Sequence, residues 1–167
     1  MKRIKLFLLA PVIALLVFAC QPDEYRRLEL PSENVAALAG TWKLSKVIQT
    51  DEDAARKGFP YQTMDVTSVF PYSDFRLTLN TNGSVPSTFA TVPGNAPKII
   101  RLTSGNWSVD DPAFPEVITM SNGTDTTRVT LGSYPTGSNR NLKIRLERRD
   151  AISNKLLISY SYEFTKQ

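Results

Sequence analysis

Lys155-Leu156-Leu157-Ile158-Ser159-Tyr160-Ser161-Tyr162-Glu163-Phe164-Thr165 is the stretch that decides the fold. Leu156, Ile158, Tyr160, Tyr162 and Phe164 fall on one side of an extended chain, with Lys155, Ser159, Ser161, Glu163 and Thr165 opposite. Successive side chains of a strand point to opposite faces, so the pattern predicts a strand with one buried and one wet face. The same period recurs upstream. Leu142, Ile144 and Leu146 alternate with Lys143, Arg145 and Glu147, and Phe75, Leu77 and Leu79 with Arg76, Thr78 and Asn80. Trp42, Leu44 and Ile48 alternate with Lys43, Ser45 and Gln49, although Val47 interrupts that run.

Turn signals separate these segments. Asn82-Gly83 predicts a tight hairpin, Ser121-Asn122-Gly123 another, and residues 135–139 a loop. Weaker strands are expected around residues 85–91 (demoted by Pro86), 105–109, 117–120 and 128–131, and residues 98–102 form a short apolar run. Residues 51–58 read as a polar loop with one helical turn ended by Gly58. About eight strands with short connections, and no helix long enough for a crossover, predict an all-β antiparallel domain. A sandwich and an up-and-down barrel both accommodate that count. Closure removes exposed edges and suits near-neighbour hairpins, which favours the eight-stranded barrel.

The front of the chain reads as an address. Lys2, Arg3 and Lys5 precede an apolar run over residues 6–19, too short to span a bilayer as a helix. Ala19 directly before Cys20, the sole cysteine, has the form of a lipoprotein signal: cleavage falls between them and the thiol takes lipid. Ordinary signal cleavage leaving a free thiol is the alternative. The expected organisation is a signal peptide at 1–19, lipidated Cys20 and a polar tether over 20–37, and a barrel domain over 38–167, with a helical turn or two over residues 32–38. Two or three acyl chains make a durable membrane anchor.

Charge and composition exclude whole chemistries. Of 20 basic side chains three leave with the signal, so the mature chain carries 17 against 16 acids. That balance does not provide the basic footprint of a nucleic-acid binder. Lys143, Arg145, Arg148 and Arg149, with Arg140 nearby, read as a solvated strand face. Without histidine there is no Ser-His or Cys-His pair and no imidazole metal ligand, and a lipidated Cys20 leaves no thiolate site. No cofactor motif is present, and no metal is expected. Asp110, Asp111 and Glu116, and Asp51, Glu52 and Asp53, lie in turn-like segments where acids bond to nearby backbone, so no enzyme is expected.

Gly40-Thr41-Trp42 resembles the Gly-x-Trp signature of lipocalins, in which the tryptophan plugs the closed end of the barrel. Together with the runs over 70–76, 105–112 and 162–166, it resembles a family of lipocalin-like lipoproteins of unknown function from Bacteroidota, over roughly residues 38–166. The resemblance implies a calycin-type barrel on a lipid anchor and a plug built from Gly40 and Trp42. A cation is expected over the tryptophan; by strand parity Arg148 and Lys166 both qualify, and the expectation is placed on Arg148. The lipocalin Thr-Asp-Tyr motif is missing, since Thr124-Asp125-Thr126 does not match it. Asp23 and Glu24 after Cys20 resemble the acidic export signal of that phylum. They point to an outer-membrane lipoprotein facing the cell surface, the periplasmic face being the alternative. Asp125-Thr126-Thr127 resembles its O-glycosylation motif, with Thr126 as the acceptor.

Two functions follow. The first is a non-catalytic module binding a small apolar ligand or a glycan, in the lumen or at its mouth. Phe75, Trp107, Tyr160 and Tyr162 would line the interior, and Phe59, Tyr61, Phe70 and Tyr72 the loop beside it. Plain core packing explains the same residues. The second is a structural subunit docking an outer-membrane protein partner through exposed loop aromatics.

Overall fold

The computed structural model describes residues 34–135 and 140–167. The expected signal peptide, Ala19, Cys20 and most of the tether lie outside those residues, as do positions 136–139. The described chain runs α1 (Asn34–Leu38), β1 (Gly40–Asp51), α2 (Glu52–Lys57), β2 (Thr63–Asp65), a single 3-10 turn (Tyr72–Asp74), β3 (Arg76–Asn82), β4 (Val85–Val92), β5 (Ser104–Val109), β6 (Val117–Ser121), β7 (Thr126–Ser133), β8 (Asn141–Arg149) and β9 (Leu156–Lys166). β1 and β3 to β9 pair antiparallel in chain order, and β9 pairs back onto β1. This is a closed eight-stranded antiparallel barrel with an up-and-down path. β2 is an appended strand that pairs only with the end of β1.

The barrel interior is a dry core. Trp42, Phe75, Leu77, Leu79, Phe89, Trp107, Ile118, Met120, Leu142, Ile144 and Phe164 are each at most 3% exposed. Phe75 meets Phe164 edge-on at 6.2 Å between ring centroids, and Trp107 Nε1 donates to the Asn80 carbonyl at 2.7 Å. Large side chains fill an eight-stranded lumen in this way.

Local deviations from the expected pattern have physical causes. The register between β1 and β9 shifts between Leu44 and Lys46, and one extra residue reverses the facing of everything after it. Val47 therefore points into the core, 0% exposed, while Ile48 turns outward and pairs with Asp65. Asn82 pairs with Val85, so the first hairpin turns on Gly83 and Ser84, with Gly83 at φ +62°. Pro86 lies opposite Thr81, where the β3–β4 register is irregular, and β4 runs its full length regardless. Residues 98–102 form no strand; Ile100 and Leu102 fold over the rim as buried loop residues. The helical turn after Asp51 is present as α2. Asp51 Oδ1 accepts from the Asp53 and Ala54 N–H groups at 2.9 Å, and Gly58 closes the helix at φ +69°.

Candidate functional site

The two ends of the barrel differ in chemistry. At one end α1 lies across the opening with Val35 and Leu38 buried. Trp42 Nε1 donates to the Leu38 carbonyl at 2.8 Å, fixing helix to plug. Lys166 places its ammonium 5.4 Å from the Trp42 ring centroid, within cation–π range. Gly40, at φ +127°, makes room for it: a Cβ there would lie 2.6 Å from Lys166 Cε. So Gly40 and Trp42 sit at the closed end, but the cation over the tryptophan is Lys166 and not Arg148. Strand parity finds the face, not the end. β8 runs away from the closed end and carries Arg148 to the far rim, whereas β9 returns and Lys166 pairs directly with Trp42.

At the far end the pairing register lays out rows of inward side chains. Val47, Tyr162 and Ile144 form one row, Gln49, Tyr160 and Leu146 the next, and Asp51, Ile158 and Arg148 the last. Met64 extends the second row through its pairing with Gln49. The first row is buried, the second half-buried, and in the third Asp51 and Arg148 are exposed. Ala96, Ile100 and Leu102 of the β4–β5 loop are buried at this end, and Val66 and Tyr72 are buried beside β1 and β9, Val66 N–H donating to the Val47 carbonyl. The lumen is therefore filled to the Tyr162 level, and above it the partly exposed inward side chains of β2, β1, β9 and β8 make up a rim surface, the cup. Beside it is a cleft of about 340 Å³ lined by Gln49, Asp51, Tyr61, Gln62, Thr63 and Met64.

A chain of aromatic contacts leads into this cup. Phe70 meets Tyr72 edge-on at 5.8 Å, Tyr72 meets Tyr162 at 6.4 Å, and Tyr162 stacks on Tyr160 at 6.0 Å. The Arg148 guanidinium lies 6.0 Å from the Tyr160 ring centroid. Burial pushes the Tyr162 phenol far above its ordinary range; Tyr72 and Tyr160 add to the rise, and Arg148 opposes it. Tyr72 is raised too, by burial and then by Tyr160. Both phenols stay neutral at physiological pH and present O–H donors.

This shift has a signed consequence. A phenol whose folded pKa is raised contributes stability fully below its unfolded value, near 10, and loses it as pH climbs toward the folded value. Denaturant titrations at pH 8 and pH 11 are expected to show a smaller alkaline loss for Tyr162→Phe than for the native chain. Equal losses would show that Tyr162 does not titrate with unfolding.

The expected ligand residues divide into three groups. Phe75 and Trp107 are core. Tyr72, Tyr160 and Tyr162 gather at the cup, together with the edge of Phe70. Phe59 and Tyr61 stand out in the β1–β2 loop, 53% and 91% exposed, and Phe70 is 51% exposed. Gln49 and Met64 join the cup without having been singled out, because the bulge in β1 and the pairing of β2 leave no periodic signal; Leu146, whose inward facing was periodic, joins them because β8 carries it to the far end. Thr126 opens β7 on the exposed surface.

Most of the candidate acids have structural partners; Asp51 caps α2 and Asp111 Oδ1 accepts the Ala113 N–H at 2.8 Å. Asp110 Oδ1 accepts the Glu116 and Val117 N–H groups at 3.0 Å. Asp53 holds Arg56, Lys57 and Lys155. Glu52 Oε1 accepts from Arg145 Nη2 at 2.8 Å and Ser159 Oγ at 2.5 Å, holding α2 on the outside of the barrel. Arg149 pairs with Glu147 and Lys143 with Glu163, so three members of the basic run on β8 are neutralised on the outer face. Among the described residues no three His, Cys, Asp or Glu side chains are grouped to hold a metal.

Residues 19–164 match the family described as Domain of unknown function (DUF5004). The chain belongs to the DUF5004 family. No curated protein and no solved structure matches it. In this DUF5004 chain the matched span covers the whole barrel up to Phe164 and begins one residue ahead of Cys20.

Proposed function

We propose that this DUF5004 chain is a non-catalytic binding module with a lipocalin-like barrel, carried on a lipid at Cys20 and facing outward from the outer membrane of a Bacteroidota cell. One observation carries the binding reading. Inward side chains are dry from Trp42 to Tyr162, then become half-exposed at Gln49, Tyr160 and Leu146, so the cup and not the lumen offers a surface to a small ligand or glycan. Asp110, Asp53 and Glu52 are engaged in the turn bonds and ion pairs described above, which supports a role without covalent chemistry. The described chain enters at Asn34, whose Nδ2 donates to the Ala113 carbonyl at the closed end.

The test is a fragment and oligosaccharide screen of the lipid-free chain from residue 21 by amide chemical shifts. Perturbations gathered on residues 49, 64, 146 and 158–162 are the expected result. Binders that perturb only other faces, or no binder at millimolar concentration, sink the reading.

Exposed Phe59, Tyr61, Met64, Val69 and Phe70, all from the β1–β3 connection and each at least 51% exposed, favour a second reading in which this loop docks an outer-membrane protein. A photo-crosslinking amino acid at position 70 in cells would then yield one discrete adduct, and none from position 128 on the barrel wall.

A further inference from the structure

Arg148 stands apart from the other cations of β8. Its neighbours on the same strand are tied up: Arg145 Nη2 is 2.8 Å from Glu52 and Arg149 Nη2 is 2.6 Å from Glu147. Those residues and Glu147 point outward, whereas Arg148 continues the inward face of Leu142, Ile144 and Leu146. Among the described residues no carboxylate lies within ion-pair reach of Arg148. The acid in its own row, Asp51, is two strands away, about 10 Å at ordinary strand spacing. Asp51 also spends Oδ1 on the first N–H groups of α2. The Arg148 guanidinium instead lies over the Tyr160 ring. That ring stacks on Tyr162, which contacts Tyr72.

We infer that the cup takes a small amphipathic carboxylate, its acid group on Arg148 and its apolar body along Tyr160 and Leu146. The inference rests on the binding reading above and narrows its ligand class. A planar guanidinium accepts a carboxylate with two parallel N–H bonds. Its position over an aromatic face keeps it in place for that contact. The half-buried Tyr160–Leu146 pair supplies the apolar bed, and the filled lumen beneath limits the ligand to a flat body lying across the rim.

The experiment titrates 2-naphthoate and its neutral counterpart 2-naphthamide into the chain from residue 21, read by amide chemical shifts. The native chain is expected to bind naphthoate at residues 146–149 and 158–162, at least tenfold more tightly than naphthamide. Arg148→Gln removes that preference, Arg148→Lys retains part of it, and Arg128→Gln on the exposed face of β7 changes nothing. Arg148 is exposed, so the variants keep the fold; an unchanged amide spectrum elsewhere verifies it. Equal binding of both probes at the cup, or naphthoate binding indifferent to Arg148→Gln, overturns the carboxylate inference and leaves the binding reading standing. No naphthoate binding at the cup also overturns the inference, and the wider fragment screen then decides the binding reading separately.

Discussion

Replacing Trp42 by alanine is expected to cost the domain about 3–5 kcal/mol, the usual range for emptying a buried tryptophan site. Trp42 is 0% exposed, and its indole fills the base of the lumen against α1. The substitution removes three things together. The apolar volume is lost; the Leu38 carbonyl loses the donor that meets it at 2.8 Å; and Lys166 loses the ring beneath its ammonium. Since domains of this size hold only about 5–15 kcal/mol in all, the loss takes a large share. At about 2–4 °C per kcal/mol the thermal midpoint falls by about 10 °C. Trp42→Phe keeps most of the volume and is expected to fall between the native chain and the alanine variant. Thermal unfolding of the three chains checks the order. A Trp42→Ala midpoint within about 3 °C of native would contradict the packing described for the closed end.

Gly105→Ala is the other severe change, for a different reason. A Cβ at Gly105 would lie 2.1 Å from the Ser121 carbonyl oxygen and 2.8 Å from its carbonyl carbon, with Phe89 Cε1 at 3.0 Å behind it. Those first two atoms are backbone of the neighbouring strand, where Asn106 pairs with Ser121. Relief would require parting β5 from β6. Gly105 also holds φ +153°, which costs a side chain further strain. Overpacking and strain together predict a loss of about 3 kcal/mol or more. Gly123→Ala is the control. Gly123 has φ +95° but nothing within 4 Å of its absent Cβ, so only backbone strain applies, about 1–2 kcal/mol. Equal stability of the two variants in a denaturant titration would show that the β5–β6 approach at Gly105 is not rigid.

The barrel was legible because its determinants are local and periodic. Leu142 to Leu146 and Tyr160 to Phe164 alternate because each strand has one wet and one dry face, and a period of two survives in any sequence that builds such a strand. The turn after Asp51 was legible as well: an acid cap and a terminal glycine are short-range devices. The bulge at Leu44 and Lys46 was not. It appears in the sequence only as Val47 out of phase, and which of two neighbouring residues is extra depends on the partner strand.

The amino-acid sequence by itself determined the all-β class, the eight strands of the barrel, the dry face of most of them and the absence of histidine chemistry. Tertiary structure alone decided which end of the barrel each residue occupies. Arg148 and Lys166 share the inward parity, yet one strand leaves the closed end and the other returns to it, so they finish at opposite rims. Closure of β9 onto β1 likewise brought Gln49 beside Tyr160, residues more than a hundred positions apart, and the appended β2 placed Met64 in the same row. Facing is set by a residue's immediate neighbours, but position along the barrel axis is set by pairings that only the closed sheet creates.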